Sequence, residues 1–320
     1  MYRWEKLGQL IHPGMFTDRW WMQDYIQSPA TIVLEDKVRM YFCSRNKPDE
    51  LGRYCSYIGY IDLDNTNPLN ILGICNEPLL SLGDTGTFDE FGHYPVTAIK
   101  NGKEIKLYYG GITRCESVPF NAAIGGAYST DGGSTFSKYG PGPVISYTPD
   151  EPFVVGSPKV KIFNGKYYVW YASGRAWRKK DNEIQPVYKI RGAVSEDGIN
   201  WKKFNRNLLN DILEEDECQA SGDVTFANGQ YHMFYSYRYN YGFKTPGRGY
   251  RCGYATSTDL ENWTRKDELA GLSVSESGWD SESISYPHLF QVGDKYYALY
   301  QGNYMGREGI GIAALIGDLK

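Results

Sequence analysis

Acidic side chains recur at matched places along this chain. Asp24, Glu90 and Glu282 each stand five positions before a proline, at Pro29, Pro95 and Pro287. Asp89, Glu151 and Glu217 fall in comparable stretches, and Asp223 marks the corresponding point of a further segment. Unpaired carboxylates gathered in one cleft repel, so one can keep its proton while another stays ionised. Sugar transfer needs that asymmetry: one group protonates the leaving oxygen, and the other activates water or attacks carbon. A single acidic loop residue is ordinarily solvated surface. The shared offsets lift these above that reading.

A second class is basic. Arg45, Arg114, Arg175, Arg238 and Arg307 follow five aromatic segments by similar offsets. Guanidinium forks suit a carboxylate or phosphate, which points to an acidic or phosphorylated sugar. The same arginines would serve equally as structural partners of the acids. Aromatic residues, among them Trp20, Tyr25, Tyr94, Trp177 and Tyr286, flank the same segments. A ring face suits the apolar side of a pyranose. His93 is placed to bond substrate or to orient Glu90, with a satisfied structural histidine as the alternative. No ligand spacing indicates a metal or other cofactor, although two carboxylates and water can hold a Ca²⁺ ion.

A repeat must position these groups. The segments KVRMYFCS, EIKLYYGG, KYYVWYAS, QYHMFYSY and KYYALYQG are versions of one strand. The strands before them start around Pro29, Pro95, Pro158, Asp223 and Pro287, in steps of 66, 63, 65 and 64 residues. Each copy continues with a small-residue strand and, in most, a turn ending in Trp or Phe. No helix periodicity separates the copies. The pattern predicts an all-β fold, a five-bladed β-propeller over residues 1–320 as one domain, with ligand at the mouth of a central funnel. The period exceeds the roughly 40 to 50 residues of common propeller repeats. The excess lies in loops before the first and after the second strands, which share one face and are where function concentrates.

The fifth copy ends after its third strand, GIGIAALIG. Trp4-Glu5-Lys6-Leu7 reads like Trp201-Lys202-Lys203-Phe204 and Trp263-Thr264-Arg265-Lys266, so the N-terminal strand is expected to complete the closing blade. A ring closed from both chain ends leaves no open sheet edge there. The turns STDGGSTF (129–136), SEDGINW (195–201) and STDLENW (257–263) have a structural role: Asp bonds turn amides and Gly adopts positive φ.

Composition narrows the partners. Net charge is −4 and no Lys/Arg block tracks a phosphate backbone, which argues against nucleic acid. No run of about 18 apolar residues predicts a membrane span, and MYRWEKLGQL is not a signal segment. Six scattered cysteines without a C-x-x-C pair read as free thiols in a reducing compartment, the cytoplasm by default. The oligomeric state is not encoded legibly.

The whole chain resembles the five-bladed β-propeller glycosidases, the group spanning glycoside hydrolase families 32, 43, 62, 68 and 130. The resemblance rests on the YYxxY strand, the S-x-D-G-x-x-W turn, FDEFGHYP at 88–95 and GNYMGREGIGIA at 302–313. Trp21-Met22-Gln23-Asp24 resembles the W-M-N-D motif of family 32, which implies a nucleophile or base at Asp24. Tyr25-Ile26-Gln27 replaces the usual P-N-G, a departure from fructan-acting members. Glu217-Cys218 resembles that family's E-C motif, implying Glu217 as proton donor, with Glu282 and Glu151 as rivals. Glu90, or Asp89 beside it, would be the second-blade acid. Glu90 and Asp223 would tune pKa values or bind sugar hydroxyls, while Arg114, Arg175 and Arg238 hold a charged group. The resemblance implies a glycoside hydrolase, family 43-like in its broad class, acting on a mono- or oligosaccharide. Its alternatives are a phosphorylase similar to family 130, and a noncatalytic carbohydrate-binding propeller. The turn at 129–136 also matches the Asp-box of sialidases, which have six blades against the five counted here.

Overall fold

The computed structural model describes residues 1–181 and 183–320. The described residues form five four-stranded antiparallel sheets. Strand β1 (Trp4–Ile11) opens the chain. Blade 1 is β2 (Asp24–Val33), β3 (Lys37–Arg45), β4 (Ser56–Asp64) and β5 (Ile71–Ile74). Blade 2 is β6 (His93–Asn101), β7 (Glu104–Arg114), β8 (Phe120–Ser129) and β9 (Ser137–Lys138). Blade 3 is β10 (Val155–Phe163), β11 (Lys166–Lys180), β12 (Glu183–Ser195) and β13 (Lys202–Lys203). Blade 4 is β14 (Glu217–Ala227), β15 (Gln230–Tyr239), β16 (Arg251–Ser257) and β17 (Thr264–Arg265). Blade 5 is β18 (Ser285–Val292), β19 (Lys295–Gln301), β20 (Ile310–Leu315) and, outermost, β1.

First strands β2, β6, β10, β14 and β18 pack on one another in a closed ring. The second strands explain the core. Along β3, Met40 and Phe42 join a cluster with Leu299 and Ile312 of blade 5, while Tyr41 and Cys43 join one with Val96 and Leu107 of blade 2. Successive strand residues face opposite ways, so a strand clasped between two sheets is apolar on both faces. Five such inter-blade clusters circle the molecule.

The N-terminal strand closes the ring as expected. It pairs antiparallel with β20, Trp4 opposite Leu315 and Ile11 opposite Ile310. Leu10 and Ile11 are buried in the cluster between blades 5 and 1, each worth about 1.5–3 kcal/mol. The hairpin turns also take their expected form: Asp131, Asp197 and Asp259 each accept two backbone amides of their own turn. No described helix is long and apolar enough to cross a membrane.

One feature of the inner ring positions the site. Every first strand slips its register at the same place, between Gln27 and Ala30, His93 and Val96, Gly156 and Lys159, Ala220 and Asp223, and Ser285 and His288. Ser28, Ser157, Ser221 and Tyr286 there have φ of 56°, 54°, 57° and 54°, and Tyr94 precedes Pro95 through a cis peptide. Non-glycine residues in this region cost on the order of 1–3 kcal/mol each and persist only where the surroundings hold them. Just after the slip, Asp223, Lys161 and the His288 imidazole meet. His288 Nδ1 lies 3.3 Å and Lys161 Nζ 3.2 Å from Asp223, while Lys159 Nζ donates to the Pro29 carbonyl at 2.9 Å. His288 Nε2 accepts the Thr31 amide at 2.9 Å. This buried tie joins the first strands of blades 3, 4, 5 and 1. Burial pulls the Lys159 ammonium down to about 8.

Candidate functional site

The loops between second and third strands come from all five blades and converge on a cavity of about 680 Å³. Blade 1 supplies Arg45, Arg53 and Tyr54; blade 2 supplies Tyr94, Arg114 and Phe120; blade 3 supplies Ser157, Gln185 and Tyr188. Blade 4 supplies Arg238, Phe243 and Tyr250, and blade 5 Tyr286 and Met305. Four arginines and no carboxylate are among the described lining residues.

Rings hold two of these arginines. The Arg45 guanidinium lies 4.2 Å from the Tyr25 ring centre, 5.5 Å from that of Tyr54 and 5.7 Å from that of Tyr94. Its Nε is buried without a hydrogen-bond partner. Arg238, 3% exposed, lies 3.8 Å from the ring centre of Phe243 and 5.1 Å from that of Tyr250. It donates to the carbonyls of Tyr239 at 2.7 Å and Asn240 at 2.9 Å and to the Tyr188 hydroxyl at 3.0 Å, and its Nε too is unpartnered. Arg114 stacks on Phe91 at 4.3 Å and lies 3.7 Å from Asp49, which also pairs with Arg53 at 2.9 Å. Burial raises the phenols of Tyr94, Tyr188 and Tyr286 above the usual range, so they stay protonated and can donate.

A second cavity of about 530 Å³ adjoins the first, sharing Arg45, Phe243, Tyr250 and Met305. It adds Tyr25, Glu282, Tyr304, Arg307 and Glu308. Asp24 bridges the two linings. One oxygen accepts the Tyr54 hydroxyl at 2.9 Å, and both face Arg307 at 3.2 Å. Among the sequence-based candidates, Arg45, Arg114, Arg238 and Tyr286 therefore line the first cavity. Arg307 and Glu282 line the second, with Asp24 between them.

The remaining candidates lie elsewhere. Glu90 accepts the Gly86 amide at 2.9 Å and lines neither cavity. Arg175 donates to the Asp150 carbonyl at 2.8 Å and lies 3.8 Å from its carboxylate. Asp223 is enclosed in the inter-blade tie, where burial opposes ionisation but Lys161 and His288 hold the carboxyl well below the usual range. His93, wholly buried, sits 3.2 Å from Asp89 rather than orienting Glu90, and packs edge-on to Tyr109. Glu217 is buried, accepting Arg265 at 2.7 Å, Gln219 at 2.8 Å and the amides of Ile212 and Leu213. Glu151 is buried between Tyr171, Arg191 and Lys203.

These buried acids belong to a repeated brace. Asp89, Glu151 and Asp280 each precede by 20 residues a tyrosine that donates to them: Tyr109 at 3.0 Å, Tyr171 at 2.9 Å and Tyr300 at 3.1 Å. A lysine from the outermost strand completes each: Lys138 at 2.6 Å, Lys203, and Lys6 at 2.6 Å. In blade 4, Arg265 joins Glu217 to Asp267, which accepts Tyr235 at 2.7 Å. Blade 1 substitutes Trp21 stacked on Phe42. Burial would raise Asp89, yet His93 and Lys138 hold it well below the usual range. The matched carboxylates thus do not form one repelling cluster, because each of these is neutralised within its own blade. Among the described residues no group of three His, Cys, Asp or Glu side chains is placed to hold a metal ion.

Sequence reasoning missed Arg53, Tyr54, Tyr188, Phe243 and Tyr250, which lie in loops and strand ends that differ from blade to blade. It also missed the brace, although the 20-residue spacing from acid to tyrosine was a usable signal.

No family model matches the chain. The uncharacterized proteins MT1551 and Rv1502 of Mycobacterium tuberculosis are each 32% identical to it over 313 residues, covering 98% of this chain and 99% of theirs. Among solved structures, a glycoside hydrolase superposes with a TM-score of 0.76 at 18% identity, over 98% of this chain and 92% of that one. A structure from the GH130 family of mannoside phosphorylases, which contains glycoside hydrolases that target β-1,2 mannosidic linkages in Candida mannan, gives 0.72 at 16% identity, over 98% and 93%. The Bombyx mori GH32 β-fructofuranosidase BmSUC1 gives 0.64 at 16%, over 98% of this chain and 61% of that one. At these identities the structural likeness is one of fold.

Proposed function

The chain belongs to the family of the mycobacterial proteins MT1551 and Rv1502 and is itself a five-bladed β-propeller related in fold to glycoside hydrolase families 32, 43 and 130, and on that premise we propose that it is a glycoside hydrolase. One sugar occupies the first cavity and the leaving portion occupies the second. The observation that carries this reading is a pair of carboxylates beside the adjoining cavities: Glu282 lines the second, and Asp24 bonds Tyr54 of the first and Arg307 of the second. Both neighbours of Asp24 are donors, so its oxygens act as acceptors, which suits a nucleophile or base. Glu282 gives its proton to the glycosidic oxygen as the bond to the anomeric carbon breaks. Asp24 then attacks that carbon, or takes a proton from the water that does. A separation of about 5–5.5 Å in the complex means retention, and about 6.5–9.5 Å inversion. The six free cysteines support a reducing compartment such as the cytoplasm.

The test is a hydrolysis panel of mono- and oligosaccharide glycosides, with and without phosphate. Glu282→Gln is expected to lower kcat by about 10²–10⁴, and to lose much less on aryl glycosides whose leaving group needs no proton. Asp24→Asn is expected to abolish turnover on both. Equal turnover in wild type and both variants overturns the assignment, and strict dependence on phosphate indicates a phosphorylase instead. A second reading, sugar binding without turnover, is favoured by the ion pair that engages Asp24 with Arg307. It predicts binding that survives both substitutions and no product from any glycoside.

A further inference from the structure

We propose that the first cavity is built for a sugar bearing an anionic group, carboxylate or phosphate, held between Arg45 and Arg238. This rests on the cavity being the sugar site, but not on cleavage. The argument is one of missing counter-ions. Several of this protein's buried and half-buried arginines are paired with acids: Arg39 is forked onto Asp62 at 2.7 and 2.8 Å, Arg265 onto Glu217 and Asp267, and Arg191 onto Asp150. Arg45 and Arg238 are exceptions. Neither has a carboxylate within ion-pair distance among the described residues, and each keeps a buried, unpartnered Nε. Asp24 stands opposite Arg45 in the strand register, yet its oxygens go to Tyr54 and Arg307. Arg45 is half-buried and Arg238 is buried, and a guanidinium so placed without a counter-charge is unfavourable unless something supplies it. The cavity holds no acid that could do so.

The surroundings give that partner a definite setting. Tyr94, Tyr286 and Tyr250 form a row of rings in the lining, with centres 5.8 Å and 6.4 Å apart, the first pair tilted and the second edge-on. Arg45 sits over the Tyr94 end and Arg238 over the Tyr250 end. Cation–π contact itself uses no donors, so the Nε of each guanidinium remains unpartnered although Arg238 also donates through Nη1 and Nη2. The result is an aromatic row in the cavity lining with a guanidinium at each end. Arg114 and Arg53 sit on the rim, partly compensated by Asp49. Arg175, grouped with these by sequence, is not part of the set.

The experiment is titration calorimetry of the whole chain with D-glucuronate, D-galacturonate, N-acetylneuraminate and glucose 6-phosphate, beside neutral D-glucose and D-galactose. At least one acidic sugar is expected to bind about 30-fold or more tightly than the neutral sugars, and Arg45→Met to remove that advantage. Preference for glucose 6-phosphate assigns phosphate, and preference for a uronate or nonulosonate assigns carboxylate. Arg45→Lys, which keeps the charge but loses the fork, is expected to bind with intermediate affinity. A second readout needs no sugar: without ligand, Arg45→Met should melt at the same or a higher temperature, since it removes an uncompensated charge. Equal binding of acidic and neutral sugars, no binding of any acidic sugar, or a marked drop in melting temperature for ligand-free Arg45→Met each overturns the proposal. Acidic-sugar binding with no hydrolysis leaves it standing and removes only the cleavage reading.

Discussion

A carboxylate's chemistry is decided by what touches it. Asp89 and Glu90 are neighbours in sequence, but one is locked between His93, Tyr109 and Lys138 while the other caps a loop amide. Histidines follow the same rule with the opposite sign. Burial lowers His93, His232 and His288, the last to about 4. In the unfolded chain these imidazoles take up protons near pH 6.5, whereas the folded chain keeps them neutral to lower pH. The unfolded state then binds more protons, so stability falls as pH drops from about 6.5 to 4. His288 alone contributes about 3 kcal/mol to that loss. Urea midpoints measured across this window should decline steadily, with a shallower slope in His288→Gln. A flat wild-type profile would show that the three rings are not buried neutral.

At the scale of elements, the brace explains how short outer strands hold. Strands β9, β13 and β17 are two residues long, and each carries a cation that reaches an acid before or at the start of its own blade. Strand β1 does the same for blade 5 through Lys6, whose Nζ also donates to Ser275. Lys6→Met leaves the buried Asp280 carboxylate without its cation, and stability should fall by about 3 kcal/mol in denaturant titration, with Lys6→Arg recovering most of it. Loss below about 0.5 kcal/mol would mean Tyr300 suffices to satisfy Asp280. The cation was legible in sequence: Lys138, Lys203, Arg265 and Lys6 each stand two residues after Phe136, Trp201, Trp263 and Trp4. Its partner is marked only by the 20-residue spacing to Tyr300, since nothing in the immediate neighbours distinguishes Asp280, which reaches Lys6, from Glu282, which borders a cavity.

For the whole molecule, ring closure makes every sheet depend on two neighbours, and β1 covers the edge that β20 would otherwise expose. Blades 2 and 5 do not adjoin, since blade 1 stands between them. Asp89→Asn and Lys6→Met should therefore add within about 0.5 kcal/mol in the double variant, and unfolding should remain one cooperative transition. A larger coupling energy would mean that strain travels round the ring through blade 1. The converging loops create at the centre a site that no single blade contains: Arg45 and Tyr54 come from blade 1, Arg238 and Tyr250 from blade 4.

The amino-acid order alone determined the repeat, the five blades, the closing role of the N-terminal strand and the Asp-containing turns. All of these arise from interactions between near neighbours or from side-chain alternation along one strand, so they leave a periodic trace. It also marked Arg45, Arg114, Arg175, Arg238 and Arg307 as a set, of which Arg175 lines neither cavity. Tertiary structure decided which acids are neutralised inside a blade and which border the cavities. Compensation of charge depends on distances between segments tens to hundreds of residues apart, as in Asp24 with Arg307 and Lys6 with Asp280. Such distances follow from the closed ring and leave no periodic mark in the chain.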